Sequence, residues 1–157
     1  DTQPNEATTE SDLVSPVLDA LGWSAWLTQQ NLSPSGRESV PDGLLFLNDE
    51  AKSKANEHSE EWKRYQFGAA IVESKRWARA LDRAEGRSKQ ARETPSTQML
   101  RYLKRIDDVL TQGALRWGIL TNGARWRLNY SGGCSPIDDY FEIDLARRRG
   151  EHLEPFC

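Results

Sequence analysis

Two stretches of this chain are uninterrupted apolar runs, too short to be helices of their own: Leu44-Leu45-Phe46-Leu47 and Ala69-Ala70-Ile71-Val72. A strand that is apolar on both sides is stable only where both faces of its sheet are covered. Each run therefore belongs inside a layered fold, with the sheet in the middle and helices over it. The second run continues directly into Glu73-Ser74-Lys75. Side chains alternate along a strand, so Glu73 and Lys75 project from one face, two residues apart. Charged groups on the inner part of a central strand need a purpose other than packing.

The remaining pattern supplies the layers. Leu13, Val14, Val17, Leu18 and Leu21 share one helical face, with Thr8 or Thr9 as the expected cap and Gly22 as a left-handed stop. Pro16 would cost roughly 3 kcal/mol deep inside such a helix, which predicts a kink or a late start. Strands are expected at 25–30, 41–47 and 67–75, the second of them in the centre of the sheet. Residues 48–66 form a polar excursion without a periodic apolar face, and residues 76–94 a basic loop. A second helix is predicted over 96–112, with Thr94 as cap, Pro95 in its first turn, and a stripe of Met99, Leu103, Ile106 and Leu110. Asn122-Gly123 between two alternating runs predicts a hairpin of 116–121 and 124–130, with Trp117 and Trp126 as core or cross-strand residues. A last strand follows at 140–145. The expected fold is a single α/β domain over 1–157, with its core at about 8–145 and a mixed central sheet flanked by helices.

The residue inventory limits the chemistry. With 157 residues the chain can bury one core, and no apolar run approaches the roughly 20 residues of a membrane span. The first ten residues are polar and acidic, so no signal peptide is expected. Two cysteines (Cys134, Cys157) and two histidines (His58, His152) do not build a disulfide framework, a Cys-rich zinc site or a Ser-His-Asp triad, and a cytoplasmic location is the default. There is no glycine-rich phosphate loop. Catalysis in such a chain runs on carboxylates, lysine and hydrogen bonds. The net charge of -3 argues against tight nucleic-acid binding. Seven basic residues nevertheless fall between Lys75 and Arg92, against Asp82 and Glu85, enough to steer a polyanion locally.

If the strands beginning near Pro41 and ending near Lys75 are neighbours, Asp42 lies beside Glu73. Two carboxylates suit a hard divalent cation such as Mg²⁺, with the Ser74 carbonyl as a third oxygen. Lys75, on the face of Glu73, is then placed to stabilise developing charge or to orient an attacking water.

Pro41-Asp42, followed 31 positions after the aspartate by Glu73-Ser74-Lys75, resembles the motif of the PD-(D/E)XK nuclease superfamily. Gln98 and Tyr102, at i and i+4 on the second helix, look like the Gln-x-x-x-Tyr signature of a subset of these nucleases. The run from Leu13 to Trp23, led by Glu10, is similar to the start of the nuclease domain in type I restriction motor subunits and in fused restriction-modification enzymes. The hairpin at 119–126 and the strand at 140–145 look like that family too. The resemblance implies a restriction-endonuclease-like αβββαβ core with an added C-terminal hairpin or strand. It implies metal ligation by Asp42, Glu73 and Ser74, with Mg²⁺ or a substituting Mn²⁺, and catalysis by Lys75 supported by Gln98, Tyr102 and Glu10. The implied activity is endonucleolytic cleavage of DNA in a prokaryotic restriction or antiviral defence system. Arg76, Trp77, Arg79 and Arg101 are the expected nucleic-acid contacts. Double-stranded DNA is expected to bind weakly, with methyltransferase, motor or recognition domains elsewhere in a longer parent chain and no membrane partner. The competing expectation is a catalytically inactive nuclease-like domain that binds DNA or a partner.

Overall fold

The computed structural model describes residues 4–85, 93–110, 115–133 and 140–145. The first helical stretch starts earlier than its apolar stripe, at Asn5 rather than at Thr8 or Thr9. The Asn5 side chain accepts from the Thr8 amide at 2.8 Å and so caps α1 (Glu6–Thr9). A π-helical turn (Glu10–Val14) follows and leads into α2 (Ser15–Ala20), which carries Pro16 in its first turn. The wider turn resolves the proline problem. The ring that would collide with a carbonyl four residues back meets a locally expanded ladder, and the helix runs on without ending. Gly22, at φ +88°, ends it in the left-handed conformation.

Among the described residues six strands form one mixed sheet in the order β1-β2-β3-β4-β5-β6. These are β1 (Trp26–Thr28), β2 (Gly43–Leu45), β3 (Ala70–Ser74), β4 (Trp117–Thr121), β5 (Arg125–Tyr130) and β6 (Tyr140–Asp144). Of these six, only β3 and β4 pair in parallel; the other neighbours are antiparallel. A parallel pair requires a crossover, which the longest helix, α5 (Pro95–Val109), provides. Its start matches the sequence signal: Thr94 accepts from the Thr97 amide at 3.1 Å, with Pro95 next.

Alternation along the strands sorts the core into two layers. Leu44, Phe46, Ile71 and Leu120 face α5 and pack with Met99, Tyr102, Leu103 and Ile106. Leu45, Ala70 and Val72 face the other way, against Val14 and Leu18 of the N-terminal helical stretch. Gly118 lets α5 approach closely, since a Cβ there would stand 2.3 Å from the Met99 sulfur. β2 lies one strand from the edge, not in the centre as its apolar run suggested. It is fully buried because helices cover both its faces, and the run stops short at Leu47, which is 78% exposed.

The polar excursion is an insertion between paired strands. It forms α3 (Asp49–Asn56), capped by Asn48, then α4 (Glu61–Arg64) and a 3₁₀ turn (Tyr65–Phe67). The buried Tyr65 secures it, donating from its hydroxyl to the Gln30 carbonyl at 2.6 Å. The expected two-residue hairpin turn spans 122–124 instead. The Asn122 side-chain oxygen accepts from the Ala124 and Arg125 amides at 3.1 and 2.7 Å, replacing the tighter backbone turn. Trp117 is a cross-strand residue, its ring 4.5 Å from that of its register partner Tyr130. Trp126 is half-buried beside the second layer. Among the described residues no helix is long and apolar enough to cross a membrane. Cys134, Cys157 and His152 lie outside the described residues, as do 86–92 of the basic loop.

The described part of that loop is fastened by an acid. Arg127, its side chain 3% exposed, donates to Asp82 at 2.8 and 3.0 Å, to Glu142 at 3.0 and 2.7 Å and to the Ser96 hydroxyl at 2.7 Å, and lies over the Tyr140 ring. One guanidinium thus joins the loop, the start of α5, β5 and β6, and its hydrogen bonds hold the Asp82 carboxyl down at about 2. Arg127→Ala is expected to lower stability by about 2 kcal/mol in urea unfolding, because hydrogen bonds to charged groups contribute more than neutral ones. Asp82→Asn should lower it less, since Asp82 is 64% exposed and can rehydrate. Equal losses in the two variants would contradict this account.

Candidate active site

The chain enters β2 through Val40-Pro41-Asp42. Extending the β2–β3 register one step past Gly43↔Val72 sets Asp42 opposite Glu73. Asp42 Oδ2 accepts from the Ser74 amide at 2.7 Å and from the Ser74 hydroxyl at 3.0 Å, which closes the end of β3 where no further strand partner exists on that side. On the opposite side the Lys75 amide donates to the Thr121 carbonyl at 2.8 Å and carries the parallel ladder one residue further. Both ends of the Glu73-Ser74-Lys75 segment are therefore held by backbone or carboxylate contacts.

Glu73 is 3% exposed and Lys75 7% exposed. The Lys75 ammonium donates to Glu73 Oε1 at 2.5 Å, while Glu73 Oε2 is buried without a hydrogen-bond partner. Burial, followed by the charge of Asp42, pushes the Glu73 carboxyl up to about 7 against the pull of Lys75. Burial works against the Lys75 charge, but Glu73, its hydrogen bond, Glu6 and Asp42 outweigh it and raise the lysine. Glu10, from the π-helical turn, shares the Ser74 hydroxyl with Asp42. Its carboxyl is raised by burial, then by Asp42 and Glu6, despite that hydrogen bond.

The α5 residues stand behind the entry to β2. Gln98 donates to the Tyr102 hydroxyl at 2.9 Å, and Tyr102 in turn reaches the Val40 carbonyl at 3.4 Å. Arg101 donates to Glu93 at 2.8 and 3.2 Å and to the Ser39 hydroxyl at 3.1 Å, with its guanidinium over the Tyr102 ring. These three residues brace the segment that carries Asp42. Arg76 and Arg79 share Glu85, at 2.6 and 3.5 Å. Trp77 is half-buried: its amide donates to Thr9 Oγ1 at 3.0 Å and its ring lies beside Gly123.

The structure thus gathers Asp42, Glu73, Ser74, Lys75 and Glu10 at one end of β2 and β3, with Gln98 and Tyr102 one layer behind. It adds Glu6, which the sequence reading passed over. Glu6 Oε1 lies 3.4 Å from the Lys75 ammonium. Its one legible signal is the i, i+4 spacing to Glu10. Among the described residues no group of three or more His, Cys, Asp or Glu is arranged around a common metal position. The donor set is two carboxylates with a neighbouring backbone carbonyl, and the unpartnered Glu73 Oε2 is the atom a cation would satisfy. Such an open oxygen set suits an ion that keeps several waters, not a closed structural zinc. An apolar groove of about 540 Å³ lies at the other end of β3 and β4, along Ala70, Trp117 and Phe141, away from these charges.

No protein-family model, curated protein or solved structure matches this chain.

The raised Glu73 carboxyl makes stability depend on pH. The folded state holds a proton up to about 7, while the unfolded chain releases it near 4.5. The folded form therefore binds more protons in that window, and its stability falls as pH rises from about 4.5 to 7. The loss is on the order of 3 kcal/mol. Urea unfolding in chelator across this range should show the slope in the wild type and a flatter curve in Glu73→Gln. Parallel curves would remove Glu73 as its source.

Proposed function

We propose that this chain is a metal-dependent endodeoxyribonuclease domain of the PD-(D/E)XK type that hydrolyses DNA phosphodiester bonds in a prokaryotic restriction or antiviral defence system. The observation that carries the reading is the meeting of Asp42, Glu73 and Lys75 at the ends of two paired strands, with one Glu73 oxygen buried and unpartnered. The element order supports it: a helical stretch, three antiparallel strands, a crossover helix, then a parallel strand, followed by β5 and β6 as the added C-terminal strands. That order is compatible with the αβββαβ core proposed for it.

Asp42 and Glu73 are the residues that would hold Mg²⁺, or Mn²⁺ in its place, with the Ser74 carbonyl as third oxygen. The ion supplies charge neutralisation at the phosphate and a more acidic bound water. Lys75, kept charged by Glu73, donates to the phosphate and opposes the negative charge that grows on its oxygens in the transition state. Ser74 keeps Asp42 turned toward Glu73 through two hydrogen bonds. Gln98 and Tyr102 hold the Val40 carbonyl and so the path of the chain into Asp42. Arg76, the more exposed of the two arginines paired with Glu85, offers the cationic surface next to Lys75. Because the net charge is -3, duplex binding is weak and salt-sensitive, and sequence choice belongs to other domains of a parent protein.

Nicking or linearisation of supercoiled plasmid in Mg²⁺ or Mn²⁺ tests the reading. Asp42→Ala, Glu73→Ala and Lys75→Ala should each abolish cleavage while remaining folded by circular dichroism, and chelator should abolish it in the wild type. Wild-type rates in all three variants would dismiss this site. Metal-dependent duplex binding without cleavage would identify a binding domain instead.

A further inference from the structure

We propose that Glu6 is a positioning residue of this site, holding the Lys75 ammonium from the solvent side while Glu73 holds it from the core. Its consequence for cleavage rests on the nuclease reading; the contact itself does not. The Lys75 side chain is 9% exposed, whereas that of Glu6 is 49% exposed, so Glu6 meets the amine from its solvent side. An ammonium has three donor directions. With Glu73 Oε1 at 2.5 Å as its sole acceptor, the lysine tip could swing about that one bond. Glu6 Oε1, at 3.4 Å, supplies a second fixed direction and leaves the third proton for an incoming phosphate oxygen.

The placement of Glu6 is built into the fold. Thr9, one turn along, donates from its hydroxyl to the Asn5 carbonyl at 2.8 Å, and the same oxygen accepts from the Trp77 amide at 3.0 Å. Trp77 stands two residues beyond Lys75, so the turn bearing Glu6 is tied to the strand end that bears the lysine. The Asn5 cap stiffens that turn. Glu6 is also close enough for its charge to raise the carboxyls of Glu73 and Glu10, as expected of a group facing the interior of the cluster.

The test pairs two readouts on the full chain. The first is the directly detected ¹⁵N–¹H signal of the Lys75 ammonium, which a held, slowly exchanging amine shows and a loose one loses. It should be present in the wild type, lost in Glu6→Ala, and retained in part in Glu6→Gln, whose amide oxygen keeps the reach without the charge. The second is single-turnover plasmid cleavage, slowed roughly 10- to 100-fold in Glu6→Ala, the range found when an orienting partner is removed. Glu6→Gln should be intermediate, with thermal midpoints unchanged in both. An unaltered ammonium signal in Glu6→Ala overturns the proposal. If the signal is lost but cleavage is unchanged, Glu6 holds the lysine without serving the reaction, and the proposal also fails. If the wild type cleaves nothing, the nuclease reading fails and the ammonium signal alone decides whether Glu6 positions Lys75.

Discussion

The constraint on which this structure turns is the burial of Glu73. A carboxylate at the end of the innermost strand is removed from water, and only an ion pair with excellent geometry offsets the desolvation. Lys75 supplies that pair at 2.5 Å, yet the second carboxylate oxygen remains without a partner. Glu73 and Asp42 also sit opposite one another, and the charge of Asp42 makes ionisation of Glu73 harder. A chain selected for stability alone would place an apolar residue here, because well-packed hydrophobic replacements of buried ion pairs are often neutral or stabilising. Strain of this kind concentrates where a function requires it.

The rest of the fold holds that cluster in place. β3 can bring Glu73 into the interior because α5 covers one face of the sheet and the N-terminal helical stretch covers the other. The parallel β3–β4 pair carries the strand to Lys75 through the Thr121 carbonyl. The π-helical turn has a positional consequence as well: it carries the helix past Pro16 intact, so a single stretch both packs Val14 and Leu18 on the sheet and presents Glu6 and Glu10 at its end. Arg127 works from the far side, fixing the segment after Lys75 through Asp82.

The Glu73 and Lys75 pair was legible because a local rule fails there, and Asp42 followed from pairing its strand with theirs. An apolar strand that turns charged without a break is visible in one dimension, and the two-residue period says which charges share a face. The α5 stripe and its Thr94-Pro95 start were legible for the complementary reason, that every local signal agrees. The centrality of β2 was not, since burial on both faces can come from covering helices as well as from flanking strands. Glu6 was hidden because an acid in a first helical turn is ordinary chemistry, favourable to the helix dipole with or without a partner. Arg127 was hidden because its partners, Asp82, Ser96 and Glu142, come from segments widely separated in sequence. The 122–124 turn departed from expectation because the Asn122 side chain supplies hydrogen bonds that a tighter turn takes from the backbone.

The charge balance at the strand ends bears on the order of events in the proposed reaction. Asp42, Glu73, Glu10 and Glu6 lie close enough at the strand ends for their charges to act on one another, and the Lys75 ammonium contacts Glu73 and Glu6. An incoming DNA phosphate meets a field of its own sign, strengthened by the low dielectric around the buried carboxylates. Raising the Glu73 and Glu10 carboxyls reduces that repulsion only in part, and a divalent cation held by Asp42 and Glu73 would remove it. In the proposed reaction the site would therefore fill with a cation before, or together with, close approach of the phosphate. It would also reconcile a net charge of -3 with the proposed polyanionic substrate. In that proposed reaction a bound cation and Lys75 would together set, at short range, where the backbone comes to rest.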